Sequence, residues 1–200
     1  MTDHRMLQLA RKADEALKIN DLEAAAVSAE ALVRLNRSAG LAYKGVIALR
    51  KENFEKAEEF LLESFQLNGK QHLALANLIP TYIKMRDFKK AVAFGEQAYA
   101  AMPKNQSVCI NYAAALLQEQ GYSKALEVLK PHYDSALPNV SVLSGLISCY
   151  RSLFMKREAD DLLAVAEKHF GDKHEIIRLK ADTLAERSPE DALTSFKAAL

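Results

Sequence analysis

YIKMRDFKKAVAFGEQAYAAMP, residues 82–103, is the stretch on which the fold turns. Tyr82 stands nine residues before Ala91, Phe88 three before it behind the turn-forming Asp87, Ala98 seven after it, and Pro103 closes the segment. Working outward, the same arrangement recurs as Asp21-Leu22 before Ala25, Asn53-Phe54 before Ala57 and Gly121-Tyr122 before Ala125. Lys156 before Ala159 and Pro189 before Ala192 keep the phase but lose the aromatic. The alanines are separated by 32, 34, 34, 34 and 33 residues. A fixed interval of this size marks a repeat in which each unit is one supersecondary element that buries its apolar face only by stacking on its neighbours.

Each unit reads as two amphipathic helices, because apolar residues recur at spacings of three and four. In the second unit Leu41, Gly45, Ala48 and Leu49 mark the first helix, and Phe54, Ala57, Phe60, Leu61 and Phe65 the second, across a turn at Lys51-Glu52-Asn53. The small residues let the paired helices approach closely. Other positions hold the phase: Tyr150 sits nine before Ala159, Ala166 and Ala199 seven after their unit's alanine, and Phe196 supplies an aromatic in the last second helix.

The period and these anchors resemble the tetratricopeptide repeat family over nearly the whole chain, from about Met6 to Leu200. The family's first-helix tryptophan is absent and its leucine-glycine pair is never complete, since Gly45 follows Lys44 and Leu78 precedes Ile79. The resemblance implies an all-α fold, a right-handed superhelical α-solenoid of antiparallel helix pairs. One such domain is expected over 1–200, in units at about 6–37, 38–71, 72–105, 106–139, 140–172 and 173–200. First helices are expected to line a concave groove, the surface this architecture offers to ligands.

Prolines modulate the pattern. Pro80 falls inside the first helix of the third unit and predicts a kink, because it removes a backbone hydrogen bond. Pro131 predicts a helix that stops near Lys130 and a bent connection over His132–Asn139. Ser188-Pro189-Glu190-Asp191 reads as a helix start, with a capping serine, a first-turn proline and acids at the positive end of the helix dipole.

Composition narrows the function. Lysine plus arginine number 27 against 26 acids, a formal net charge of +1, so no broad field draws the chain to nucleic acid or to an anionic membrane. Apolar runs end well short of the roughly 20 residues of a membrane span, and no signal-peptide core follows Met1. A cytoplasmic, bacterial-like protein without membrane insertion is expected. Cys109 and Cys149 lack neighbours at metal-ligand spacing and read as packing residues. Histidines 4, 72, 132, 169 and 174 are scattered, and only His169 and His174 are close, around the turn Gly171-Asp172. The acid pairs Glu58-Glu59 and Asp160-Asp161 open second helices and read as solvated faces that complement the dipole. Phosphate-loop, zinc-protease, nucleophile-elbow and Cys-x-x-Cys motifs are missing, so no enzyme and no cofactor or metal is expected.

The site reading rests on the groove. Asn77 and Asn111 both stand 14 residues before their unit's alanine, on adjacent first helices, and side-chain amides both donate to and accept from a peptide backbone. In the family, asparagines at this place form a ladder along extended ligands, so these two resemble a short version of it. They also read more simply as residues that satisfy local polarity. Tyr43, Gly145 and Arg178 take the equivalent position in other units, and Lys84, Arg50, Arg151 and Arg178 are basic candidates on the same face. Ala42, Val46, Leu73, Ala76, Ile110, Ala114, Ser141, Ser144 and Ser148 complete a mixed, mildly apolar surface. The family's chaperone-tail clamp is not expected, because Asp14 stands where an amide is needed and would repel a terminal carboxylate.

The expected partner is therefore a peptide or protein held in the groove. Self-association through the C-terminal helix is the alternative, since the chain stops at Ser195–Leu200 with no capping helix after it. That ending also predicts the N-terminal part of a longer protein, whose further repeats or catalytic domain would follow, and the other alternative is that this array is the accessory domain of such an enzyme.

Overall fold

The computed structural model describes residues 2–185, which form eleven α-helices and one 3-10 turn and no strand. The helices are α1 (Thr2–Lys18), α2 (Leu22–Leu35), α3 (Arg37–Arg50), α4 (Phe54–Leu67), α5 (His72–Lys84), α6 (Phe88–Ala101), α7 (Gln106–Gln118), α8 (Tyr122–Leu129), α9 (Val140–Ser152), α10 (Lys156–Phe170) and α11 (His174–Ala185). The all-α class and the succession of helix pairs agree with the reading of the sequence. The expected features at Ser188–Asp191, Ala192, Phe196 and Ala199, and with them the face proposed for self-association, lie outside the described residues.

Why the chain reverses within each pair is visible in the backbone. Asn20, Glu52, Arg86, Gln120 and Phe154 all adopt φ between 57° and 61°. Each is followed by a residue whose N–H reaches back five residues: Asp21 to Ala16, Asn53 to Ala48, Asp87 to Tyr82, Gly121 to Leu116 and Met155 to Tyr150, at 2.8–2.9 Å. This is a Schellman-type helix end, normally built on glycine. Next in the chain come the caps: the side chains of Asp21, Asn53 and Asp87 accept the N–H of Ala24, Lys56 and Lys90 at 2.9, 3.1 and 3.1 Å. The turn therefore repeats with the alanines, each of which lies five residues beyond the left-handed position.

A left-handed backbone suits Asn20 but not Phe154, whose ring is 86% exposed and so recovers little by packing. Phe154→Gly is expected to raise stability by about 1 kcal/mol by removing that strain. A thermal midpoint at or below that of the parent would refute this.

Contacts divide the chain after Ala115 into two compact units. In the first, Ala25, Ala57 and Ala91 are fully buried, because a larger side chain at these points would separate the paired helices. The core around them includes Leu61, Leu78, Ile79 and Tyr82 in one cluster and Ala13, Leu32, Tyr43 and Ile47 in another. Helix α5 runs unbroken through Pro80. Thr81 Oγ1 donates to Asn77 O at 2.7 Å one turn back.

In the second unit Ala125 and Ala159 are buried, and Leu143, Ile147, Leu163, Ala166, Ile176 and Leu179 form the core. Pro131 acts as the sequence predicts. Helix α8 stops at Leu129, a 3-10 turn spans Lys130–His132, and no helix forms again until Asn139 caps α9. Both cysteines are buried and reduced. Burial pushes the Cys149 thiol up to about 12 and raises Cys109 as well, so neither presents a thiolate.

Candidate functional site

First helices supply the candidate surfaces in both units. In the first unit an open cavity of about 280 Å³ lies across α1, α3 and α5, lined by Met6, Leu7 and Ala10, by Ala39 and Tyr43, by Leu73, and also by Leu32, Asn36 and Gln71. Leu7 is 58% exposed at its rim, which makes the wall accessible rather than sealed. Two members of the expected groove, Tyr43 and Leu73, thus share one surface.

Tyr43 is 7% exposed, and its hydroxyl donates to Asp14 Oδ1 at 2.9 Å and lies 3.3 Å from Ala10 O. Desolvation, with the Asp14 carboxylate beside it, holds the phenol well above its ordinary range. Tyr43 is thus a wall of the cavity whose polar tip is already engaged. The Asp14 carboxylate, read from the sequence as a repelling charge, is the acceptor that fastens α1 to α3. Only the pairing in space reveals this, because 29 residues separate the two.

Asn77 and Asn111 stand half-buried on α5 and α7. The Asn77 amide donates to Leu73 O at 2.8 Å on its own helix, which spends one N–H and orients the group. Lys84 is exposed in the last turn of α5. In the second unit the structure brings together two cations that the sequence could name only separately. Arg151 and Arg178 line one cavity of about 320 Å³ with Ser148, Ser152, Leu179 and Asp182. Asp182, which sequence reasoning missed, lies 3.9 Å from Arg151 Nη1.

One acidic pair needs correction. Glu59 is exposed as expected, but Glu58 is not a solvated dipole partner. It accepts the Tyr82 hydroxyl at 2.9 Å and Lys90 Nζ at 3.2 Å, tying the second unit of the repeat to the third. Among the described residues no group of three metal-ligating side chains occurs, and no helix is long and apolar enough to cross a membrane.

The tetratricopeptide repeat family model matches residues 82–132, the segment that holds the clearest anchors. That segment carries the family's repeat, and the chain has the tetratricopeptide repeat fold. A tetratricopeptide repeat protein from Parabacteroides merdae ATCC 43184 superposes with a TM-score of 0.75 at 16% identity, over 98% of this chain and 78% of that one. Pseudomonas aeruginosa pilF gives a TM-score of 0.76 at 13% identity, over 98% and 90%. YrrB, described as a tetratricopeptide repeat protein with an unusual peptide-binding site, gives 0.68 at 16% identity, over 84% and 88%. No curated protein sequence matches the chain. At such identities the likeness is one of repeat architecture, so function has to be argued from the repeat faces themselves.

Proposed function

We propose that this repeat chain is a non-catalytic scaffold that holds a peptide or protein segment on the first-helix face of Met1–Ala115, around Tyr43, Asn77, Lys84 and Asn111. The observation that carries the reading is the cavity shared by α1, α3 and α5. At about 280 Å³ it lies below the usual range of small-ligand pockets, about 300–1,000 Å³. It therefore suits one large apolar side chain of a longer ligand. Asn77 keeps its carbonyl oxygen and second N–H for a backbone, and Asn111 stands at the equivalent point of the next first helix. YrrB lends analogy, since a fold of this kind there has a peptide-binding site. In the second unit Arg151, Arg178 and Ser148 offer polar contacts of the same kind.

The test is selection of peptides from a random display library on the immobilised protein, followed by Ala39→Leu, which fills the cavity without adding charge. Selected peptides are expected to carry a large apolar residue and to lose roughly tenfold in affinity, the scale of one anchor side chain. Undiminished binding to a variant of normal helicity would sink the reading.

A further inference from the structure

The cavity-lining residues Leu7, Ala39 and Leu73 identify the exposed stripe on three successive first helices. Eleven residues further along each helix, roughly three turns and therefore on the same stripe, stand Lys18, Arg50 and Lys84. Each occupies the last turn of its helix and lies seven residues before the anchor alanine of its unit, Ala25, Ala57 or Ala91. All three are exposed, and among the described residues none has an ion pair or a side-chain hydrogen bond. Other cations of this unit divide: Lys44, Lys51 and Lys90 pair with Glu30, Glu23 and Glu58, whereas the exposed Lys12, Lys56 and Lys89 have no ion pair among the described residues.

Complementing the helix dipole explains a cation in any last turn. The second helix α2 ends on Arg34 in the same way, whereas the last turns of α4 and α6 hold no cation. What sets Lys18, Arg50 and Lys84 apart is their shared place, the equivalent point of three successive first helices on the stripe that lines the cavity. Asp14, one turn before Lys18 on the same stripe, is occupied by the Tyr43 hydroxyl.

We propose that Lys18, Arg50 and Lys84 form a basic rail that recognises an acidic, extended peptide carrying carboxylates at every third residue. The proposal rests on the scaffold reading and names the chemistry of its partner. Adjacent packed helices lie about 8–10 Å apart. A chain in the extended polyproline II conformation advances about 3.1 Å per residue with three residues per turn, so residues three apart share one face and span one helix-to-helix step. Carboxylates at positions i, i+3 and i+6 then meet the three cations in register. The rail lies ~16 Å along the helices from the apolar cavity, so the two features are separable.

The experiment is fluorescence anisotropy with a labelled synthetic peptide bearing aspartate at every third residue among serines and alanines, at low salt. Lys18→Glu, Arg50→Glu and Lys84→Glu together are expected to weaken binding roughly tenfold or more. The matched triple Lys12→Glu, Lys56→Glu and Lys89→Glu changes net charge equally at other exposed cations and is expected to leave binding within about twofold. Equal loss in both triples would overturn the proposal. So would equal binding of a peptide with the same aspartates in one block, or equal binding of single-stranded oligothymidine, since either makes the rail a general polyanion surface. If display-selected peptides respond to Ala39→Leu but ignore the rail triple, the rail fails and the scaffold reading stands. If the acidic peptide responds to the rail triple and Ala39→Leu releases nothing, the cavity reading fails instead.

Discussion

Gly40→Ala is expected to destabilise the first unit by about 3 kcal/mol, although alanine is the better helix former. Gly40 is buried in α3, where a Cβ would collide with the backbone nitrogen of Val33 and stand 2.6 Å from its Cα. The collision is with backbone, so no rotamer change relieves it and α2 and α3 must separate. Gly45 makes a useful contrast, because its added Cβ would meet the Leu61 side chain at 2.5 Å but the Leu61 backbone nitrogen only at 3.3 Å. The propensity gain of about 1 kcal/mol for leaving glycine offsets only part of a backbone clash. Ser38, two residues before Gly40, exchanges buried hydrogen bonds with Ser64, donating to Ser64 O at 2.9 Å and accepting at its own carbonyl from Ser64 Oγ at 2.7 Å. A shift of α3 away from α2 therefore also strains its junction with α4. Urea unfolding is expected to show a lower midpoint with an unchanged slope, and a midpoint equal to the parent would mean that the helices have slack at this contact.

The anchor alanines made the fold legible because each marks a place where two helices touch, and composition cannot disguise a void. Ala159 remained in phase where Lys156 had replaced the aromatic, and the left-handed turn at Phe154 falls in step with it. Asp21, Asn53 and Asp87 were legible as turn residues for the same local reason, since a cap acts on its own helix. Cross-unit chemistry was not legible. Asp14 reaches Tyr43 over 29 residues and Glu58 reaches Tyr82 over 24, and no local pattern distinguishes them from Glu59 or Asp161, which face solvent. The groove lay between these cases. Repeat arithmetic identified equivalent points such as Asn77 and Asn111, but the engagement of the Tyr43 hydroxyl and the meeting of Arg151 with Asp182 depend on side-chain directions that only the packed helices define.

Tyr82 joins both kinds of information, and Tyr82→Ala is expected to cost about 4 kcal/mol, in the range for removing a large buried aromatic. Its ring is 1% exposed and stacks on Phe94 with centroids 5.4 Å apart and planes 16° from parallel, while Phe94 in turn meets Phe65 edge-on at 6.2 Å. Lys90 Nζ stands 5.0 Å from the ring centroid. The hydroxyl donates to Glu58, and desolvation, reinforced by that carboxylate, holds the phenol in its protonated form. Tyr82→Phe separates the two contributions. It keeps the stacked ring and leaves Glu58 with Lys90 as a partner, so the loss is expected to be only about 1 kcal/mol. Because repeat units gain stability from their neighbours, the Tyr82→Ala loss should appear first as faster hydrogen exchange in α4, α5 and α6, before any change in α9 and α10. If the two variants cost the same, the hydroxyl rather than the ring is what ties these repeats together.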